Sequence, residues 1–251
     1  METHAHHLHK APGQGWKHYF FEFLMLFLAV SLGFLAENRR ENYVERHREK
    51  QFAQLLFPDL RNDIRDLDNI IDVKKWHSRK IDSLFHFLSL PDLRKNSKSI
   101  YYYRAYVDIN LSFRPNDATI QQLRSSGSLR YFSNLKLYNA ITKHYSDCAA
   151  YYQNEPSSWE TLTAFPIPTV KIFDADELYS IKSITPSIKD AVRYPDKEMH
   201  LLTTEKSAIT EFKHYTHLWE LSNDLAMVLL VNLRKELDRL MNDLKAQYSL
   251  D

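Results

Sequence analysis

A chain of 251 residues with 33 Lys+Arg against 32 Asp+Glu lacks the basic field that non-specific nucleic-acid binding needs, so no nucleic-acid partner is expected. Only 4 glycines argue against hairpins, sheet-rich folds and phosphate-cradling loops, and for long helices. The single cysteine, Cys148, excludes an intrachain disulfide and a cysteine-based zinc site. With no base identifiable beside it, Cys148 reads as a small core residue rather than a nucleophile.

Residues 1–15, METHAHHLHKAPGQG, have almost no apolar periodicity and carry Pro12, Gly13 and Gly15, which predicts a disordered tail. Its His4, His6, His7 and His9 would chelate a metal only transiently, for want of fixed geometry.

Residues 16–37 are expected to form a transmembrane helix. Between Lys17 and Glu37 lie 19 residues, which as a helix span roughly 28 Å, close to the hydrocarbon thickness of a bilayer. Trp16 and Tyr19 suit one headgroup layer; Arg39 and Arg40 suit the other, with charges that snorkel. Two rival readings are weaker. Ala29-Val30-Ser31 and Ser31-Leu32-Gly33 match the small-residue spacing of a signal-peptide cleavage site. A buried soluble helix is disfavoured because the segment is apolar on every face.

Within that helix Glu22 lies about one turn from the boundary, where snorkelling and local water lower its cost. Glu22, Ala29, Gly33 and Ala36 fall within one stripe, and Ala29-x-x-x-Gly33 is a small-xxx-small pair that permits close backbone approach. This stripe is the expected transmembrane packing face, for self-association or for another membrane protein. Location in a cell inner membrane as a single-pass protein is expected. Orientation stays open: the positive-inside count favours a cytoplasmic large domain, whereas an apolar run near the N-terminus fits a translocated one.

Residues 38–251 are read as one helical extramembrane domain. Residues 37–51, ENRRENYVERHREKQ, place Glu37 with Arg40 and Glu45 with Arg48 at i,i+3, as on a solvated helix. The acidic row Glu37, Glu41, Glu45 and Glu49 reads the same way. Pro58 removes a ladder bond, so a kink or restart is expected there. Beyond it Leu60, Ile64, Leu67, Ile71, Lys74, Ser78, Ile81, Phe85 and Leu88 alternate in steps of four and three, the seam of a coiled coil. Lys74 and Ser78 are its polar positions, which usually set register and only occasionally mark a ligand pocket. Pro91 and a basic loop, Arg94 to Ser99, are expected to end the element.

The middle third is ambiguous. Val107, Ile109, Leu111 and Phe113 alternate as in a strand, yet the glycine-poor context favours helix, with a short hairpin or a short strand near 100–115 or 165–175 as the alternative. Asp117 is placed to cap a helix through ATIQQLRSS, Gly127 to occupy its C′ position, and Ser133 to cap a helix running through Leu137, Ile141 and Tyr145 to about Asn154. Pro156, Pro166 and Pro168 predict an irregular stretch packed by Trp159 and Phe165. From Leu201 to Tyr248 a long amphipathic helix closes the chain. Its length predicts antiparallel pairing with the helix that leaves the membrane, returning the C-terminus toward the bilayer.

Familiar catalytic signatures are missing. Glu211-Phe212-Lys213-His214 is one Glu-x-x-His motif where a di-iron bundle needs two, and no HExxH, Walker loop, GxGxxG or GxSxG occurs. Asp59, Asp63 and Asp66 share a face but read as solvated, with Arg61 and Arg65 beside them. The aromatics of YYYRAY, residues 101–106, read as packing rather than as a base-stacking platform. No catalytic residue, cofactor or metal is expected.

FFEFLMLFLAVSLGFLAENRRENYVERHREKQF, from Phe20, and NDATIQQLRSSGSLRYFSNLKLYNAITKHY, from Asn116, resemble an uncharacterised family of single-pass bacterial membrane proteins common in Bacteroidota. The resemblance lies in the acid near the start of the apolar run, the acid-Asn-basic exit, the Ser-Gly-x-Leu turn and the tyrosine-bearing helix after it. It implies architecture and membrane location, and no established activity.

The expected fold is mainly α: a transmembrane helix continuing into a long, Pro-kinked helix packed in an antiparallel bundle with a long C-terminal helix. The expected function is that of a membrane-anchored scaffold or interaction protein without enzymatic activity, working as a homo-oligomer or with another membrane protein. The alternative is a bundle that senses a ligand near Lys74 and Ser78, and a membrane-bound enzyme is weaker still.

Overall fold

The computed structural model describes residues 15–107, 109, 111–154, 169–183 and 185–250. The histidine-bearing tail and the stretch holding Pro156, Trp159, Phe165, Pro166 and Pro168 lie outside the described residues. Residues 1–51 and 52–251 form two compact units, each described by itself; helix α1, Trp16–Phe87, contributes to both.

In the first unit α1 exposes its apolar side chains all round: Phe34 is 77% and Met25 69% exposed. Past it the helix is held by local pairs. Arg40 donates to both carboxylate oxygens of Glu37, one turn earlier as the spacing predicts. Glu49 departs from the solvated reading, being buried.

The second unit is a helical bundle. The rest of α1 packs against α7, Lys206–Tyr248, with α2 (Ser97–Arg104), α3 (Ala118–Ser125), α4 (Leu135–Asn154), α5 (Thr169–Ile172) and α6 (Ala175–Ser180) around them. Short 3₁₀ turns at Ser128–Tyr131 and Ile188–Asp190 complete it. The long helices run antiparallel, as four contacts in order establish: Lys245 over the Phe57 ring, Arg234 on Asp68, Lys74 on Asn223 and Lys213 over the Phe85 ring. The seam supplies the reason. Leu60, Leu67, Ile71 and Ile81 are buried on α1, and Ala226, Leu230, Leu233, Leu237 and Leu244 on α7, at the three-four spacing that keeps each face toward the other.

Two apolar cores result. One joins Leu56, Leu60 and Leu67 with Phe113, Ile120, Ile141 and the C-terminal half of α7. The other joins Ile81, Leu84 and Leu88 with Ile100, Tyr101, Ile172, Phe173 and Phe212. Cys148 belongs to the first, as a small core residue should.

Several local expectations shift. Pro58 lies inside α1 without restarting it, because only one ladder bond is forfeited while Leu56, Phe57 and Leu60 remain buried. The basic loop is shorter than expected, since Ser97 to Ser99 already belong to α2. No strand occurs among the described residues near 100–115 or 165–175: residues 97–104 and 169–172 are helical, and one isolated bridge joins Lys182 to Val192. Phe113 is buried from irregular backbone, so the alternating pattern marks burial without a ladder. Gly127, at φ +67°, takes the left-handed position past α3 that a Cβ would strain. Asp117 precedes α3 but makes no side-chain cap bond; its carboxylate accepts from Gln121 instead. Asn134, not Ser133, caps α4, accepting from the Leu137 N–H at 3.2 Å. Helix α7 begins at Lys206 rather than Leu201, because Leu201 is buried in the second core and the Leu202 N–H is bonded to the Ile172 carbonyl.

Candidate functional site

In the first unit the predicted stripe is intact as a surface. Glu22, Ala29, Gly33 and Ala36 are all exposed. Glu22 and Ala29 line one shallow groove with His18, Met25 and Leu26, and nothing lies within 4 Å of where a Gly33 Cβ would sit. Trp16 is exposed, as are Arg39 and Arg40, beyond opposite ends of the apolar run. An 18-residue window of this helix is long and apolar enough to cross a membrane, and none of it is buried in the chain.

In the second unit the polar seam positions become a belt between the two apolar cores. Lys74 is 3% exposed. Its ammonium donates to Asn223 Oδ1 at 3.3 Å, and the Asn223 amide donates to the Lys74 carbonyl at 3.5 Å. Ser78 bonds Glu220, whose carboxyl is nonetheless raised above the usual carboxylate range, chiefly by burial and then by Asp82 and Asp224. His77, next to Ser78 and about one turn past Lys74 on the same helix, is buried against the Tyr106 carbonyl at 2.8 Å.

A second polar cluster lies inside the first core, where the sequence suggested only a solvated face. Asp63 is fully buried. Its Oδ1 accepts from the Asn116 backbone N–H and from the Asn116 amide, both at 2.7 Å, and its Oδ2 lies 3.6 Å from His144 Nε2. Asp66 remains exposed. The reason Asp63 goes inside is its register: Leu56, Leu60, Asp63 and Leu67 step by four, three and four, so it occupies a seam position as fully as its leucine neighbours. The same spacing on α4, Leu137, Ile141, His144, Cys148, Tyr151, carries His144 inward.

Cys148, His144 and Asp63 thereby form a thiol–imidazole–carboxylate set, and its chemistry can be judged from geometry. The Cys148 sulfur is 3.8 Å from Nε2 and 3.9 Å from Nδ1, so it aligns on neither nitrogen, and Nε2 is also the atom that approaches Asp63. A nucleophile–base–orienter relay needs the two partners on different nitrogens. Burial, with Asp63 next, pushes the thiol up to about 12, the wrong direction for a thiolate. Burial likewise raises the neighbouring Tyr145 hydroxyl, which donates to the Asn116 carbonyl at 3.2 Å. The set is a buried polar brace between α1, α4 and the segment before α3. Alongside it opens a cleft of about 350 Å³ lined by Arg114, Asp117, Gln121, Arg124, Tyr145 and Tyr152. Arg114 is engaged there, donating to the Tyr152 hydroxyl at 2.7 Å.

The di-iron fragment stays unassembled: Glu211 pairs with Lys171 at 2.9 Å while His214 is exposed. Among the described residues no group of three or more histidine, cysteine or carboxylate side chains is arranged to hold a metal. The aromatics of residues 101–106 do pack, Tyr101 and Tyr106 being fully buried.

Fold and interior together define a mainly helical protein whose first helix carries an apolar stretch long enough to cross a membrane. Comparisons with protein-family models, with curated proteins and with solved structures find no match for this chain.

Proposed function

We propose that the chain is a single-pass membrane protein of a bacterial inner membrane whose helical domain acts as a scaffold for partner proteins or for further copies of itself, without catalysis. The observation that carries this reading is the exposure of the apolar stretch of α1, none of which is buried in the chain. Leaving some 18 apolar residues in water costs far more than the stability of a typical domain, so they require another solvent, and lipid supplies it. The flanking Trp16, Arg39 and Arg40 suit the two headgroup layers. The resemblance to single-pass Bacteroidota proteins belongs to the same reading.

A scaffold role fits the interior. The Lys74–Asn223 pair bonds two facing helices, the arrangement that fixes register, and the buried Cys148 thiol is held protonated. The test is fractionation of cells producing the full chain. The protein should stay in the membrane pellet through an alkaline carbonate wash and be released by detergent; release by carbonate would end the anchor reading. Crosslinking in the intact membrane should then trap a second copy or a partner, and a monomer without partners would end the scaffold reading while leaving the anchor standing.

A further inference from the structure

Lys80, on α1, ends in a box of aromatic rings. Its ammonium lies 4.9 Å from the Tyr102 ring centroid, 5.0 Å from that of Tyr106 and 5.5 Å from those of Trp76 and Tyr103. The walls stand nearly square to one another: Trp76 and Tyr106 cross at 90°, Tyr102 and Tyr106 at 85°, Tyr102 and Tyr103 at 72°. They are fixed from behind. Tyr106 is fully buried, and its hydroxyl reaches the Tyr102 hydroxyl and the carbonyls of Lys189 and Val192 at 3.3–3.4 Å. Trp76, Tyr102, Tyr103 and Lys80 are half-buried, so the box has an open side.

The size of the box is informative. An ammonium carrying methyl groups adds a carbon about 1.5 Å from the nitrogen, and that carbon rests best about 3.5 Å from ring carbons. Its nitrogen therefore stands about 5 Å from each ring, the distance found here. A bare ammonium has only hydrogens to fill that gap, and Lys80 compensates with one hydrogen bond, to the Tyr102 hydroxyl at 3.2 Å. Negative ring faces at right angles, spaced for a methylated cation, are the recognised means of holding quaternary ammonium groups.

We propose that Trp76, Tyr102, Tyr103 and Tyr106 form a binding site for a trimethylammonium group, which Lys80 occupies in cis and must vacate before a ligand enters. The lysine stem is long and the residue half-exposed, so it can swing into water without disturbing the core. Because the resident side chain competes, apparent affinity is reduced by the fraction of molecules in which the box is open.

The experiment uses the full chain in a maltoside detergent, with choline as probe and, as control, its neutral isostere in which carbon replaces nitrogen. Binding is read by titration calorimetry and by thermal stabilisation, for wild type, Lys80→Ala and Lys80→Gln. Choline should bind both variants at least about tenfold more tightly than wild type, should bind in clear preference to the isostere, and should lose that preference when Tyr102→Leu is added to Lys80→Ala. Glycerophosphocholine tests the source of the group: tighter binding than choline assigns a lipid headgroup, weaker binding a free small cation. Equal binding of choline and isostere, or equal binding to wild type and both folded variants, overturns the proposal.

Discussion

Asp63 shows how one residue's register outweighs its chemistry. A carboxylate is kept out of an apolar core unless hydrogen bonds replace its water, and here Asn116 supplies two to one oxygen, from backbone and side chain, while the other oxygen faces His144 at 3.6 Å without a hydrogen bond. Asp63→Ala should strand the Asn116 donors and the imidazole and cost about 3 kcal/mol, measured as a fall in the urea midpoint at neutral pH. An unchanged midpoint would mean that the brace carries no stability. Cys148 leads to a pH effect. Its ordinary value is near 9 and its folded value about 12, so between those limits the unfolded chain gives up a proton that the folded chain keeps. Its contribution is therefore whole below pH 9 and is lost as pH rises toward 12. The hydroxyls of Tyr101, Tyr106 and Tyr145, all raised by burial, add losses of the same sign above their ordinary values. Unfolding free energy should be flat from pH 7 to 9 and fall beyond, and at pH 8 native Cys148 should react with iodoacetamide far more slowly than the same thiol in urea. A falling alkaline limb that persists unchanged in Cys148→Ala would assign the effect to the tyrosines alone.

At the scale of elements, the pairing of α1 with α7 was legible and its polar interior only partly so. Alternating threes and fours identify two long helices and their facing sides, since burial of one face enforces that spacing wherever a helix meets a core. Lys74 and Ser78 stand out because they interrupt an apolar row. Asp63 and His144 were hidden because their neighbours Ile64 and Tyr145 fit the apolar spacing as well; the structure buries Tyr145 too and leaves Ile64 half-buried, so the contact face is wide enough to take both positions. Asn223 is legible only with its partner in place, 149 positions away. Asn223→Leu should cost about 2 kcal/mol by leaving a buried ammonium without that acceptor. Adding Lys74→Met should restore more than about 1 kcal/mol, because an apolar pair of similar volume replaces a desolvated one. Denaturation of both single variants and the double variant reads this directly; costs that simply add would show the pair to be uncoupled. Helix ends were less legible, as at Ser133 and Leu201, because a cap depends on which neighbouring polar atom or core the backbone reaches first.

For the whole molecule, the stripe of Glu22, Ala29, Gly33 and Ala36 bears on assembly. If it is a packing face, Gly33→Leu should weaken in-membrane self-association several-fold by holding backbones apart, and Glu22→Leu should remove an interhelical hydrogen bond worth about 1 kcal/mol. A two-hybrid reporter of transmembrane helix association measures both; a signal unchanged in both variants assigns Glu22 to the headgroup boundary and leaves Gly33 facing lipid. Helical class and the apolar stretch followed from the sequence alone, because glycine scarcity and hydropathy are properties of composition and of order along the chain. So did the antiparallel partnership of the two long helices, because only two segments were long enough to cover each other. Tertiary structure alone decided that Asp63 goes inside with His144 and Cys148, and that burial there pushes the thiol up. It alone decided that four rings, from α1, α2 and the turn after α2, close around Lys80. Those outcomes depend on helix rotation and on contacts between residues far apart in the chain, and neither leaves a periodic mark on the sequence.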